Sequence, residues 1–197
     1  MKLTSNNLKD CQIGYCTFAD IRHVFEEFHY KAGHMGGGIS FCFSLSFEGR
    51  VIGGAVYGKP RHEKAYGERV IDLRRFALID EAPTNSESFF LGKTLALIKK
   101  NKQADAVLTF ADETQGHLGT IYKACNFKLL GLTPASKYIL WKGKQYHMRS
   151  MTIDRPYSYL LREAVKSGEA QIVSGLPKRK FMYYLYDNAR SRIAKDS

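Results

Sequence analysis

Long apolar runs are missing from this chain. No stretch approaches the roughly 18–20 apolar residues of a membrane span, and the opening MKLTSNNLKDC has no apolar core of a signal peptide. The expectation is a cytosolic protein with no membrane partner. Cysteine is scarce. Cys11, Cys16, Cys42 and Cys125 show neither a CxxC pair nor zinc-ribbon spacing, which sets aside a disulfide framework and a Cys-held metal and leaves reduced, buried thiols. Acidic residues are also in short supply: 19 Asp and Glu stand against 30 Lys and Arg, for a net charge of +11. The shortage is uneven. Residues 1–136 carry 17 basic and 14 acidic groups, residues 137–197 carry 13 and 5. A basic C-terminal third on a near-neutral body points to a polyanion, nucleic acid first, with a solubilising surface as the plain alternative.

What is present is a succession of periodic patterns. Ile21, Val24, Phe25 and Phe28 recur at helical spacing over 19–30, predicting a short amphipathic helix ending at His29-Tyr30. KAGHMGGG after it predicts a glycine-rich loop. Alternating Phe41, Phe43, Leu45 and Phe47, the turn Glu48-Gly49-Arg50 and a return over 51–57 predict a β-hairpin. Segment 58–68 reads as a polar loop and 69–79 as a strand with Val70, Asp72, Arg74 and Phe76 on one face. Thr84 and Glu87 have capping-box spacing ahead of Leu91, Leu95 and Ile98, and Lys99, Lys100 and Lys102 suit a helix C-terminus. AVLTFAD (106–112) reads as a buried strand, 117–125 as a short helix, and KLLGL and KYILWKG as strands. The fold class that results is α/β (α+β), a mixed central sheet flanked by helices. Residues 1–150 form its main domain and 151–197 a basic, aromatic-rich C-terminal extension packed on it.

Several residues stand out within that frame. Asp112 ends a buried strand, where α/β folds place binding crevices. It can ligate a metal, take a proton from an amine, or only cap the next turn. Arg74 in its strand needs a carboxylate or an anionic ligand, so it anchors a ligand or pairs with Asp72 or Asp112. Arg75 is assigned to the opposite, solvated face. Ser86 and Ser88 at a helix entry either bind phosphate beside free N–H groups or are ordinary first-turn polar residues. The Tyr122 ring either packs or offers its hydroxyl. Toward the C-terminus, Tyr157, Tyr159, Tyr183, Tyr184 and Tyr186 interleave with Lys178, Arg179, Lys180, Arg190 and Arg192, a pattern that suits bases and phosphates. The same FMYYLY segment also reads as a strand added to the sheet, with Phe181, Tyr183 and Leu185 facing in.

The element order resembles the GCN5-related N-acetyltransferase (GNAT) fold, whose members bind acyl-coenzyme A between splayed strands with the pyrophosphate on the next helix N-terminus. DEAPTNSESFFLG lacks that fold's spaced glycines and has only Gly92. A closer resemblance is to the bacteriophage Mu Mom family of DNA-modification proteins. It rests on His29-Tyr30, DLRRFAL (72–78), PTNSESFFLG (83–92) and FADETQGHLGTIYKACNF (110–127), and LPKRKFMYYLY (176–186) is similar to Mom C-termini. The resemblance implies conversion of adenine in DNA to an N6-carbamoylmethyl form that protects phage DNA from restriction in the bacterial host cytoplasm. It implies an acetyltransferase-like fold for residues 1–150, iron held by His29, Tyr30 and Asp112, and catalysis by Asp112, Tyr30, Tyr122 and Arg74. The donor, acetyl-CoA or a glycine-derived molecule, is then expected at Arg74, Ser86 and Ser88. Double-stranded DNA is expected at Lys178, Arg179, Lys180 and Tyr183, with the adenine extruded because its amino group is hidden in the stack. Two other readings stand beside it: an acetyl-CoA-dependent N-acetyltransferase of a protein or small amine, and a non-enzymatic DNA-binding anti-restriction protein.

Overall fold

The computed structural model describes residues 4–29, 38–61 and 65–196. The expectations for Tyr30 and most of the glycine-rich loop lie outside the described residues. Seven strands form one sheet: β1 (Gln12–Cys16), β2 (Ile39–Phe47), β3 (Arg50–Gly58), β4 (Val70–Leu78), β5 (Ala106–Ala111), β6 (Lys128–Leu132) and β10 (Arg179–Tyr184). Their order is β1-β2-β3-β4-β5-β10-β6. Three more, β7 (Lys137–Trp141), β8 (Lys144–His147) and β9 (Gln171–Ser174), form a second sheet of order β8-β7-β9. The helices are α1 (Phe18–Phe28), α2 (Ser86–Lys100), α3 (Thr120–Ala124), α4 (Ser158–Ser167) and α5 (Ala189–Asp196). The chain divides into two units that cut across position 150. The first comprises Met1–Phe110, Gly119–Leu130 and Lys180–Ser197, the second Ala111–Leu118 and Gly131–Arg179.

In the first unit the β2–β3 hairpin forms as its alternation predicts, and β1, short and without a strong pattern, adds antiparallel to β2. Helix α1 starts on a reciprocal capping box between Thr17 and Asp20. It buries Ile21, Val24 and Phe25 against Cys42, Val56 and Ala77. The box expected at Thr84 and Glu87 does not form. Asn85 takes the N-cap of α2 instead, at φ 73° with no side-chain cap. On α2, Thr94 is fully buried and shares a 2.7 Å hydrogen bond with the hydroxyl of fully buried Tyr57. Thr94 also donates to the Leu91 carbonyl. Tyr57→Phe therefore removes one buried partner without stranding Thr94. The expected loss is about 1 kcal/mol in urea unfolding, and an unchanged midpoint would show the bond contributes nothing.

Strand β4 departs from strict alternation. Its register to β3 pairs Val56 with Arg75 and Tyr57 with Leu73, leaving Arg74 as the extra residue of a β-bulge. Phe76 is thereby turned away from Asp72 and packs on Phe90 of α2, with ring centroids 5.4 Å apart. Arg75, opposite Val56, joins the face that α1 covers, which corrects its expected orientation. On its other edge β4 pairs in parallel with β5 only over Val70–Asp72 and Ala106–Leu108. Past that point the Thr109 hydroxyl, not a strand backbone group, reaches the Leu73 carbonyl at 3.4 Å. The two strands therefore part at Asp72.

The basic C-terminal region holds α4, β9, β10 and α5. In the second unit α4 lays Leu161 and Ala164 on Ile139 and Ala170, with Trp141, Tyr146 and Tyr157 around them. Strand β10 lies inside the seven-stranded sheet. For that reason both Phe181 and its neighbour Met182 are buried, where alternation predicted one face out. The thiols are free, and burial pushes Cys16 and Cys42, cross-strand partners, up to about 11.

Candidate active site

Arg74 is set by the bulge. Its Nη2 donates to the Lys59 carbonyl at 2.6 Å, and its guanidinium lies against the backbones of Gly38 and Gly58. A Cβ on Gly58 would stand 2.7 Å from Arg74 Nε and would run into the Gly38 carbonyl oxygen. Glycine is required here by close approach of backbone to side chain. The charge of Arg74 bears on Asp72, two residues earlier, as does that of Arg61.

Asp72 is the carboxylate that sequence reading treated only as a partner for Arg74. It is half-buried, and burial outweighs the two guanidinium groups and pushes it up to about 6. Its cross-strand partner on β3 is Gly58 and its partner on β5 is Leu108, so neither neighbour offers a polar side chain. The available signal was an acid in an otherwise apolar strand, VIDL.

Tyr122, on α3, packs its ring at 5.5 Å from Phe127 and 5.4 Å from Phe181, and is half-buried. Its hydroxyl acts electrostatically on that of Tyr57, whose ionisation burial opposes. His29 caps α1: its N–H donates to the Phe25 carbonyl at 3.2 Å and its ring meets Phe25 edge-on. These residues belong to the first unit.

Ser86 and Ser88 donate their hydroxyls to the carbonyls of Pro83 and Asn85, and Ser86 is buried. That is the first-turn reading of both. The turn holds Asp80, Glu81 and Glu87, and no Lys or Arg occurs between Arg75 and Lys93. Exposed negative charge beside the helix N-terminus opposes a phosphate there. Ser88 and Tyr183 both line a groove of about 350 Å³, together with Gly92, Cys125 and Asn126. The Tyr183 ring also packs on Phe127 at 5.2 Å.

In the second unit Asp112 is fully engaged. Oδ1 accepts from the Thr114 N–H at 3.2 Å and from its hydroxyl, and Oδ2 lies 2.6 Å from Lys178 Nζ. Burial pulls the carboxyl upward, but the bonds from Lys178 and Thr114 win and hold it below the usual range. Next door, Glu113 pairs with Arg179. Two successive acids after β5 thus meet two successive bases at the start of β10. An ammonium on Oδ2 repels a second cation, and among the described residues no group of three His, Cys, Asp or Glu is placed to hold a metal ion. Asp112 therefore does not fit the expected iron centre. Lys178 and Arg179, expected on DNA, already have carboxylate partners. Lys180 lies over the Tyr66 ring, 5.5 Å from its centroid.

A bulged strand parting from its parallel neighbour, with a helix crossing between them, defines the fold of the GNAT N-acetyltransferases. The GNAT family N-acetyltransferase YhbS of Escherichia coli, solved with CoA, superposes with a TM-score of 0.56 at 11% identity, over 93% of this chain and 86% of that one. The ribosomal-protein-S18-alanine N-acetyltransferase of Escherichia coli gives 0.54 at 9% identity, over 89% and 94%. The chain belongs to the Mom protein family, which matches residues 10–196. It is 27% identical over 182 residues to the methylcarbamoylase mom of Escherichia phage Mu, across 87% of this chain and 74% of that protein. Among the described residues no helix is long and apolar enough to cross a membrane.

Proposed function

We propose that this protein is a phage transferase that places a carbamoylmethyl group on N6 of adenine in DNA and so shields the DNA from restriction. The observation that carries the reading is family membership across nearly the whole chain, joined to 27% identity with the phage Mu methylcarbamoylase. The net charge of +11 favours a polyanionic substrate. In the reaction the N6 lone pair forms the bond to the donor's CH₂ carbon, the bond to the leaving group breaks with its electron pair going to that group, and the N6 proton is released to water, leaving N6–CH₂–CO–NH₂. Arg74, fixed in the β4 bulge beside Gly38 and Gly58, is suited to hold an anionic part of the donor. Tyr122 carries a hydroxyl able to protonate the leaving group.

Two structures with this fold are named as complexes with CoA or acetyl-CoA. The acid-bearing turn before α2 argues for a donor without a pyrophosphate at that place. DNA from cells expressing the protein, digested to nucleosides and read by mass spectrometry, tests the proposal. N6-carbamoylmethyl adenine is expected. A normal adenine profile under confirmed expression would sink the reading, and acetylated protein or amine in its place would favour an N-acetyltransferase.

A further inference from the structure

On the sheet face that α1 partly covers lie two separate apolar clusters. One is that of α1, with Val56 and Ala77. The other is Val70, Ala106, Leu108 and Met182, edged by half-buried Tyr66, Phe110 and Tyr184 and by Ile193 of α5. Asp72 belongs to neither, yet it shares Val70's face by strand alternation and stands in register with Leu108. Lys180 sits over Tyr66 on the same side, and Arg61 is close enough for its charge to bear on Asp72. One face of the first unit thus carries a carboxyl without a polar cross-strand neighbour, three partly exposed rings and two cations.

We propose that this face receives the extruded adenine, with the Asp72 carboxylate accepting a hydrogen bond from the exocyclic amino group, Phe110 and Tyr66 supplying ring contacts, and Lys180 and Arg61 meeting the flanking phosphates. The complementarity is of three kinds. A carboxylate is acceptor-only and meets a donor such as the adenine amine, whereas it repels a carbonyl oxygen in the same position. Aromatic rings take the base face, and cations neutralise the backbone. The partial burial that raises the Asp72 carboxyl also strengthens any hydrogen bond it makes. Asp72 is here a specificity-determining residue. It takes the place next to the amine that sequence reading had given to Asp112.

The proposal rests on DNA adenine being the substrate, and the test separates the two. The probes are duplex oligonucleotides with adenine or hypoxanthine opposite an abasic site, where the base leaves the stack at little cost. Wild type is expected to bind the adenine duplex about tenfold more tightly than the hypoxanthine duplex. Asp72→Asn keeps the shape and can turn its amide to either base, so the preference should collapse toward one with adenine affinity within a few-fold. Folding should survive, because a carboxyl raised on folding costs stability when ionised, a cost relieved as pH falls through about 6 and absent in the amide. Phe110→Leu should weaken both duplexes alike, by about tenfold. A wild type that ignores the base, or an Asp72→Asn protein that keeps the full preference, overturns the site. If modified adenine is found in cells and the preference does not depend on Asp72, the site alone fails. If the preference holds and no modified adenine forms, the failure is that of the proposed reaction.

Discussion

Gly58→Ala is expected to lower stability by about 3 kcal/mol, which for a chain of this size is a drop of roughly 6–12 °C in the melting midpoint. The new methyl has no free direction. It would meet Arg74 Nε at 2.7 Å on one side and the Gly38 carbonyl oxygen on the other. A side-chain end can swing away, but a backbone carbonyl and a guanidinium bonded at 2.6 Å to Lys59 cannot both do so without opening the bulge. Gly14→Ala is the matched control, because nothing lies within 4 Å of its built Cβ. Scanning calorimetry on the two variants reads the contrast, and equal midpoints would mean that the Gly38–Gly58–Arg74 contact is not held in solution.

Asp112→Asn is expected to cost about 2 kcal/mol at neutral pH, since a hydrogen bond to a charged group is lost and Lys178 is left half-covered without its partner. The cost has a pH signature. The carboxyl is held below its ordinary value in the folded state. Its stabilisation is therefore fully present above the unfolded carboxylate value of about 3.9 and is lost as pH falls through the lowered folded value. Wild type and variant should differ most at pH 7 and converge in acid, measured by urea unfolding at a series of pH values. Parallel curves down to the acid limit would show that the carboxylate is not what stabilises that strand end.

The elements with strong periodicity were legible: α1, the β2–β3 hairpin, β4, α2, β5 and the strand in FMYYLY. The element order, with Asp112-to-Phe127, was enough to reach the fold and the family. What escaped had local physical causes. The Thr84–Glu87 spacing is right for a capping box, but the backbone at Asn85 turns left-handed and the helix opens one residue later than that box requires. Alternation along VIDLRRF misplaced Phe76 and Arg75, because a one-residue bulge reverses the faces beyond it. Residues 144–174 escaped since their strands are short and their helix buries only one narrow side. For the site, Asp112 was recognisable as a residue but not as half of an ion pair, because its partner lies 66 positions away. Lys178 and Arg179 were read as free cations for the same reason. Asp72 was passed over because a single acid in a strand carries no pattern.

The placement of β10 bears on how the chain is made. It fills the slot between β5 and β6, though both are synthesised roughly fifty or more residues before it. Until residue 184 has left the ribosome, no strand lies between β5 and β6, and the apolar groups Leu108 and Phe127 wait uncovered. Closure of the sheet is a late, long-range event of the kind that slows folding and invites wrong pairing. A nascent chain paused before β10 is then the species most exposed to aggregation and to proteases, and its yield should respond to chaperone supply more than the finished protein does.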